Sequence, residues 1–133
     1  MPSAPDEPYF AEQIRRTGVR VTRPRLIVLS LLHEIGGHRS AEDVVEVLRE
    51  RRSTLPRASV YNVLNDLCEH GLAMRVDTGP GRARYEASTT WHHHFVCRDC
   101  GHILDVPCAI GSKPCMTPAV EGLLVDEAQV IFR

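Results

Sequence analysis

The sequence predicts an α+β fold in two parts, a winged helix-turn-helix over residues 1–87 and a smaller α/β part over residues 88–133. Three observations predict it. Helical patterns run in series up to a Gly-Pro-Gly hairpin signal, arginine is concentrated in the first part, and a stretch rich in histidine and cysteine opens the second. All but two of the arginines lie between Arg15 and Arg84, whereas from Ala87 onward the only basic side chains besides histidine are Arg98, Lys113 and Arg133. The net charge of -1 conceals this division, which points to two modules with different duties. With 133 residues, 43% hydrophobic and 25% charged, the composition is that of a soluble globular protein.

The elements follow in order. "YFAEQIRRTG" reads as a short helix from Tyr9 stopped by Gly18. "VTRPRLIVLSLLHEIGG" offers Thr22 as N-cap and Pro24 in the first turn, then an apolar helix ending at Gly36-Gly37. "SAEDVVEVLRERR" starts at the cap Ser40 and places Ala41, Val44, Val45 and Leu48 on one face. In "ASVYNVLNDLCEHG" the buried stripe is Val60, Val63, Leu64 and Leu67, with Tyr61, Asn62 and Asn65 opposite and Gly71 as the stop. "LAMRVDTGPGRARYEA" makes two alternating runs around Thr78 to Gly81, a hairpin.

Helices followed by a basic hairpin make the winged form of the helix-turn-helix, whose third core helix is placed to enter a major groove. Double-stranded DNA is then the expected partner. Tyr61 can press on thymine methyls while Asn62 and Asn65 bond base edges. Arg20, Arg23, Arg25, Arg57, Arg82 and Arg84 are suited to phosphates or a minor groove, and Ser59 joins the DNA-facing set. Cys68, beside the apolar stripe, is a core residue on this reading.

The second part opens on "WHHHFVCRDCGH". A strand from His93 to Cys97, a turn from Asp99 to Gly101 and a returning strand to Val106 fit the pattern. Cys97-x-x-Cys100 at such a turn is half of a structural zinc site, because the turn aims two thiolates at one tetrahedral ion. A redox dithiol of the thioredoxin type is the competing reading, yet that pair opens a helix and Gly101 here leads into a strand. On a strand His92 and His94 share a face and His93 points away, so His93 and His102 are read as bystanders. With Glu86, Asp105 and His38 available to join them, His92 and His94 form a nitrogen and oxygen set suited to Fe2+, Mn2+ or Zn2+ bound reversibly.

Several classes are excluded. "HEIGGH" resembles the zinc-peptidase H-E-x-x-H, but His33 and His38 are five apart, which puts them about 140° apart around a helix, and Gly36-Gly37 breaks the helix between them. The zinc-deaminase signature is absent. A zinc-dependent hydrolase, the alternative from another class, is thus left without a signature, and a plain zinc-ribbon module would leave the arginine-rich part unexplained. No enzyme activity and no small-molecule substrate are expected. "MPSAPDEPYF" has neither a basic start nor an apolar core, and no apolar run reaches membrane-spanning length. The expectation is a cytoplasmic protein without a membrane role, its five cysteines serving metal or redox chemistry.

"GVRVTRPRLIVLSLL", "HRSAEDVVEVL", "ASVYNVLNDLCEHGL", "RYEA" and "HHHFVCRDCGHILDV" resemble, in order, the motifs of the ferric uptake regulator (Fur) family of metal-dependent repressors. The match covers about residues 10 to 106. The tail "CAIGSKPCMTPAVEGLLVDEAQVIF" is similar to the branch in high-GC Gram-positive bacteria that represses a catalase-peroxidase gene. The resemblance implies a homodimer on a palindromic operator, with an N-terminal winged helix and a C-terminal α/β dimerisation domain. It implies a regulatory site of His38, Glu86, His92, His94 and Asp105 for Fe2+ or Mn2+, with Zn2+ or Ni2+ as further choices. One ion bound across the hinge would then favour the DNA-binding form. Arg20 and Tyr61 match DNA-contacting residues, whereas Asn62 stands where many members have arginine.

Trp91 and Ala128 occupy positions of an additional family metal site, which is expected to be absent. The family closes its zinc site with a second CxxC near the C-terminus. This sequence stops at Arg133 just short of it, so the C-terminal part is read as truncated, or Cys108 and Cys115 replace that pair. On the truncation reading Cys108 and Cys115 are a branch-specific pair that senses oxidant or metal. Asp105 resembles the family's peroxide sensors and Glu86 its iron sensors. The expectation is a peroxide-responsive repressor in which His38 or His92 is oxidised, with an iron- or zinc-responsive uptake regulator as the alternative.

Overall fold

The computed structural model describes residues 6–81, 83–88 and 90–133. Arg82, expected to face DNA, lies outside the described residues. The chain divides into two compact units, 1–89 and 90–133, a boundary two residues beyond the one read from the sequence.

The first unit holds four helices and a hairpin. Helix α1 (Asp6–Arg16) buries Phe10 and Ile14, one turn apart on one face, and Gly18 takes φ 82 just beyond its end. Helix α2 (Arg23–Ile35) begins at Thr22, whose hydroxyl accepts from the Arg25 N–H at 3.3 Å, and buries Val28, Leu29, Leu31 and Leu32. It ends at Gly36, at φ 61, so His33 and His38 do not share a helix. His33 instead packs its ring 4.8 Å from that of Phe10.

Helix α3 (Ala41–Glu50) carries a reciprocal cap. The Asp43 N–H donates to Ser40 Oγ and the Ser40 N–H to Asp43 Oδ2, both at 3.0 Å. Replacing Ser40 with alanine is expected to cost about 1 kcal/mol, read as a lower midpoint in urea unfolding of the whole chain, with Ser40→Thr near wild type. Helix α4 (Arg57–Glu69) has no side-chain cap, and burial of Val60, Val63, Leu64 and Leu67 holds it in place. Strands β1 (Ala73–Asp77) and β2 (Ala83–Ala87) pair antiparallel as the wing, Ala73 opposite Ala87 and Asp77 opposite Ala83. Phe10, Leu32, Val44, Leu64 and Tyr85 belong to one core cluster, so the helices and the wing share a single apolar interior.

The second unit is a three-stranded sheet in the order β4-β3-β5. Strand β3 (His92–Val96) pairs antiparallel with β4 (Ile103–Pro107) and parallel with the two-residue β5 (Ile131–Phe132). The β3–β4 turn closes through Gly101 N–H to Cys97 O and Cys97 N–H to His102 O, each 2.9 Å. Register puts Phe95 opposite both Leu104 and Phe132, and all three are exposed. One face of the sheet thus carries an uncovered apolar row. No helix among the described residues is long and apolar enough to cross a membrane.

Candidate metal centre

In the first unit the segment before α3 pairs with the wing. Arg39 and Tyr85 exchange backbone hydrogen bonds, Arg39 N–H to Tyr85 O at 2.8 Å and Tyr85 N–H to Arg39 O at 2.6 Å. The guanidinium of Arg39 also donates to the carbonyls of Gly36 and Ile35 at 3.0 Å, tying the segment back to the end of α2. This bridge sets the residue before Arg39 beside the residue after Tyr85. His38 Nε2 consequently lies 2.8 Å from Glu86 Oε2, and Glu86 is buried.

In the second unit the strand alternation works as expected for one pair. His92 and His94 share a face with ring centroids 4.7 Å apart, and Asp105 pairs opposite His94. Asp105 Oδ1 lies 3.3 Å from His92 Nε2 and 3.5 Å from His94 Nε2. His94 is fully buried and His92 nearly so. His92 Nδ1 lies 2.7 Å from the Thr90 carbonyl, an acceptor only, so this nitrogen carries a proton and donates to it, which leaves Nε2 as the nitrogen that faces Asp105. Histidine ligands are held this way, by a carbonyl at the far nitrogen. Each unit thus brings together nitrogen and oxygen donors of the kind a divalent ion takes, two in the first and three in the second.

The Cys97–Cys100 turn is shaped for thiolate. Backbone N–H groups of Cys100, then Asp99 and Gly101, point at the Cys97 sulfur and hold its thiol below the usual range, with the Cys100 amide the main cause at 3.5 Å. The fit is to half of a zinc site. The ligand clusters among the described residues include neither cysteine, so Cys108 and Cys115 do not close this site. They gather with His93 instead, every donor atom within 4.8 Å of the others. His93 is no bystander. It is buried, accepts from Val130 N–H through Nδ1 at 3.0 Å, and sets Nε2 3.3 Å from Cys115 Sγ. Nothing in the sequence signalled this role, because alternation said only that His93 faces away from His92 and His94.

The residues expected to face DNA lie where the helix pattern put them. Tyr61, Asn62 and Asn65 line the exposed side of α4, Arg57 is exposed at its start, Ser59 is half-buried there, and Arg20 and Arg23 are exposed around the start of α2. One acidic residue was missed. The Glu42 carboxylate accepts from both the Arg57 guanidinium and the Tyr61 hydroxyl, and it raises the Tyr61 pKa by holding the phenolic proton. Arg25 is tied to Asp66 at 3.2 Å, bracing α2 against α4.

A winged helix-turn-helix joined to a unit bearing metal-ligating side chains defines a metal-responsive DNA-binding regulator. The ferric uptake regulator family profile matches residues 16–114, and the chain belongs to that family. It is 41% identical over 134 aligned positions to the transcriptional regulator FurA of Mycobacterium tuberculosis, covering 99% of this chain and 88% of that one. The peroxide operon regulator of Bacillus subtilis is 33% identical over 71% of this chain and 65% of its own length. The manganese-bound ferric uptake regulator of Pseudomonas aeruginosa superposes with a TM-score of 0.70 at 27% identity, covering 92% of this chain and 94% of that one. A zinc uptake regulator solved with zinc and DNA gives a TM-score of 0.59 at 25% identity over 79% of this chain and 74% of its own. Family members are dimeric, DNA-binding, metal-responsive transcriptional regulators and not enzymes, which sets aside the hydrolase alternative.

Proposed function

We propose that this protein is a cytoplasmic, metal-dependent repressor that responds to peroxide and controls a catalase-peroxidase gene. One observation carries the reading: each unit holds its own set of hard donors, His38 with Glu86 and His92 and His94 with Asp105. We assign both sets to one Fe2+ or Mn2+ ion, which nitrogen and oxygen ligands bind reversibly. When bound, the ion supplies a charge that both sets can satisfy together, and ferrous iron also supplies reactivity toward peroxide. The chain's own residues do the rest. The Thr90 carbonyl holds His92 in its ligating tautomer, and the Arg39–Tyr85 bridge fixes His38 beside Glu86. With an ion held by both sets, the two units would favour the arrangement in which two copies of α4 read a palindromic operator. Similarity to the peroxide operon regulator and Asp105 support the peroxide signal. Glu86 favours the second reading, a regulator of metal uptake. Cys97 and Cys100 are assigned to structural zinc.

Mass spectrometry of iron-loaded protein after peroxide tests the signal. Oxygen is expected on peptides carrying His38 or His92. Unmodified histidines together with lost DNA binding would contradict the assignment.

Glu42 yields a separate expectation. Its carboxylate occupies the Arg57 and Tyr61 groups that DNA must recruit, and it repels phosphate. Glu42→Gln should tighten DNA binding by about fivefold, the equivalent of an exposed ion pair worth up to ~1 kcal/mol. Fluorescence anisotropy on one operator duplex at fixed salt measures it.

A further inference from the structure

The cluster of His93, Cys108 and Cys115 lies outside both ligand sets and has its own chemistry. Two soft thiols and an imidazole within 4.8 Å are compatible with either a metal site or a dithiol, and the hydrogen bonds separate the two. The Val130 N–H donates to His93 Nδ1 at 3.0 Å, so that nitrogen holds a lone pair. The network therefore assigns the proton of the neutral ring to Nε2, the nitrogen 3.3 Å from Cys115 Sγ. An Nε2–H offers sulfur a proton and offers a metal ion nothing. His92, its neighbour on the strand, has the opposite arrangement: its Nδ1 donates to a carbonyl, and its Nε2 is the nitrogen turned toward the ligand set.

Cys108 sits in a turn whose backbone amides converge on its sulfur. The Gly111 N–H, followed by the Ile110 N–H and the Cys115 thiol, holds the Cys108 thiol below its usual range. Cys115 Sγ also lies 3.5 Å from the Ala128 carbonyl, so it is positioned on two sides. Both cysteines are free and partly exposed, and their sulfurs are close enough for a change of rotamer to join them.

We propose that Cys108 and Cys115 form a peroxide-oxidisable dithiol, in which Cys108 is the attacking thiolate and Cys115 the resolving thiol. The Cys108 sulfur attacks one oxygen of hydrogen peroxide, the O–O bond breaks, and Cys108 becomes a sulfenic acid while the departing hydroxide takes up a proton to become water. The Cys115 sulfur then attacks the Cys108 sulfur. The S–S bond forms, the S–O bond breaks, and the leaving hydroxide takes the Cys115 proton to become a second water. The two sulfurs lose two electrons in total and the peroxide oxygens gain them.

The oxidised pair no longer offers His93 a thiol, and Cys115 no longer holds its place at Ala128. Both contacts anchor the segment that leads into β5, whose neighbour Val130 accepts the His94 N–H through its carbonyl at 3.3 Å. Oxidation thereby loosens the β3–β5 pairing next to a proposed regulatory ligand. That consequence rests on the regulator reading, but the thiol chemistry does not.

The test uses the whole chain, reduced, stripped of metal by chelator, treated with hydrogen peroxide, then alkylated and digested with trypsin. Without metal, the result is independent of the histidine and carboxylate sets. Cleavage after Arg98 separates Cys97 from the peptide with Cys100, Cys108 and Cys115, and the Lys113–Pro114 bond resists trypsin. The expected product is that peptide lighter by two hydrogens and alkylated only at Cys100. Cys115→Ser should leave a sulfenic acid on Cys108 that dimedone traps, and Cys108→Ser should leave Cys115 reduced. Three results would overturn the proposal. Cys108 and Cys115 both alkylated after treatment is the first, and a Cys97–Cys100 bond forming in their place is the second. The third is Zn2+ bound by the stripped chain at a stoichiometry that falls by one in Cys108→Ser and in His93→Gln, which makes the cluster a metal site.

Discussion

Replacing His94 with alanine is expected to lower affinity for Mn2+ by about 100-fold or more. Loss of a hydrogen-bond partner behind a ligand already costs up to about 100-fold, and His94 is assigned as a ligand itself. It is also fully buried, with Asp105 Oδ1 at 3.5 Å and the His92 ring at 4.7 Å, so no other side chain of the strand can take its place. Isothermal titration of chelator-treated protein reads the loss directly. DNA binding should become insensitive to added metal in the same variant. Asp105→Ala should fall in the same direction, since its carboxylate faces both histidines. A His94→Ala protein that still binds Mn2+ within a few-fold of wild type would remove His94 from the site.

Leu64→Ala should destabilise the winged unit by about 2–5 kcal/mol. Leu64 is fully buried in α4, and that helix has no side-chain N-cap to compensate for lost packing. For a unit of this size the loss corresponds to a drop of roughly 10–30 °C in the melting midpoint, followed by far-ultraviolet circular dichroism. Asn65→Ala is the matched control. It sits next in sequence on the exposed side of the same helix, so stability should stay within about 0.5 kcal/mol while DNA affinity falls. A small loss for Leu64→Ala would mean that α4 is held by something other than its apolar stripe.

The helices were legible because their causes are local. Thr22 and Ser40 cap where they stand, and Val60, Val63, Leu64 and Leu67 repeat at a helical period. The β3–β4 pairing was legible for the same reason, since alternation put His92 and His94 on one face and the turn at Gly101 returned the chain past Asp105. What escaped depended on contacts between distant segments. The placement of His38 beside Glu86 was inferred only from family resemblance, because the Arg39–Tyr85 bridge behind it leaves no periodic trace. Glu42 looked like one more exposed acid on α3 until Arg57 and Tyr61 met it. The proton on His93 is set by the Val130 amide across the sheet, from a two-residue strand too short to announce itself.

In the proposed function, metal controls DNA binding through two sets of ligands on two units. A mobility shift with the full chain tests it most directly. The protein is first stripped with chelator, then titrated with Mn2+ on a palindromic duplex selected from a random pool. Without metal no specific complex is expected; a complex should appear as Mn2+ is added and be lost when chelator is returned. Equal affinity with and without metal, from a chain that remains folded throughout, would contradict it.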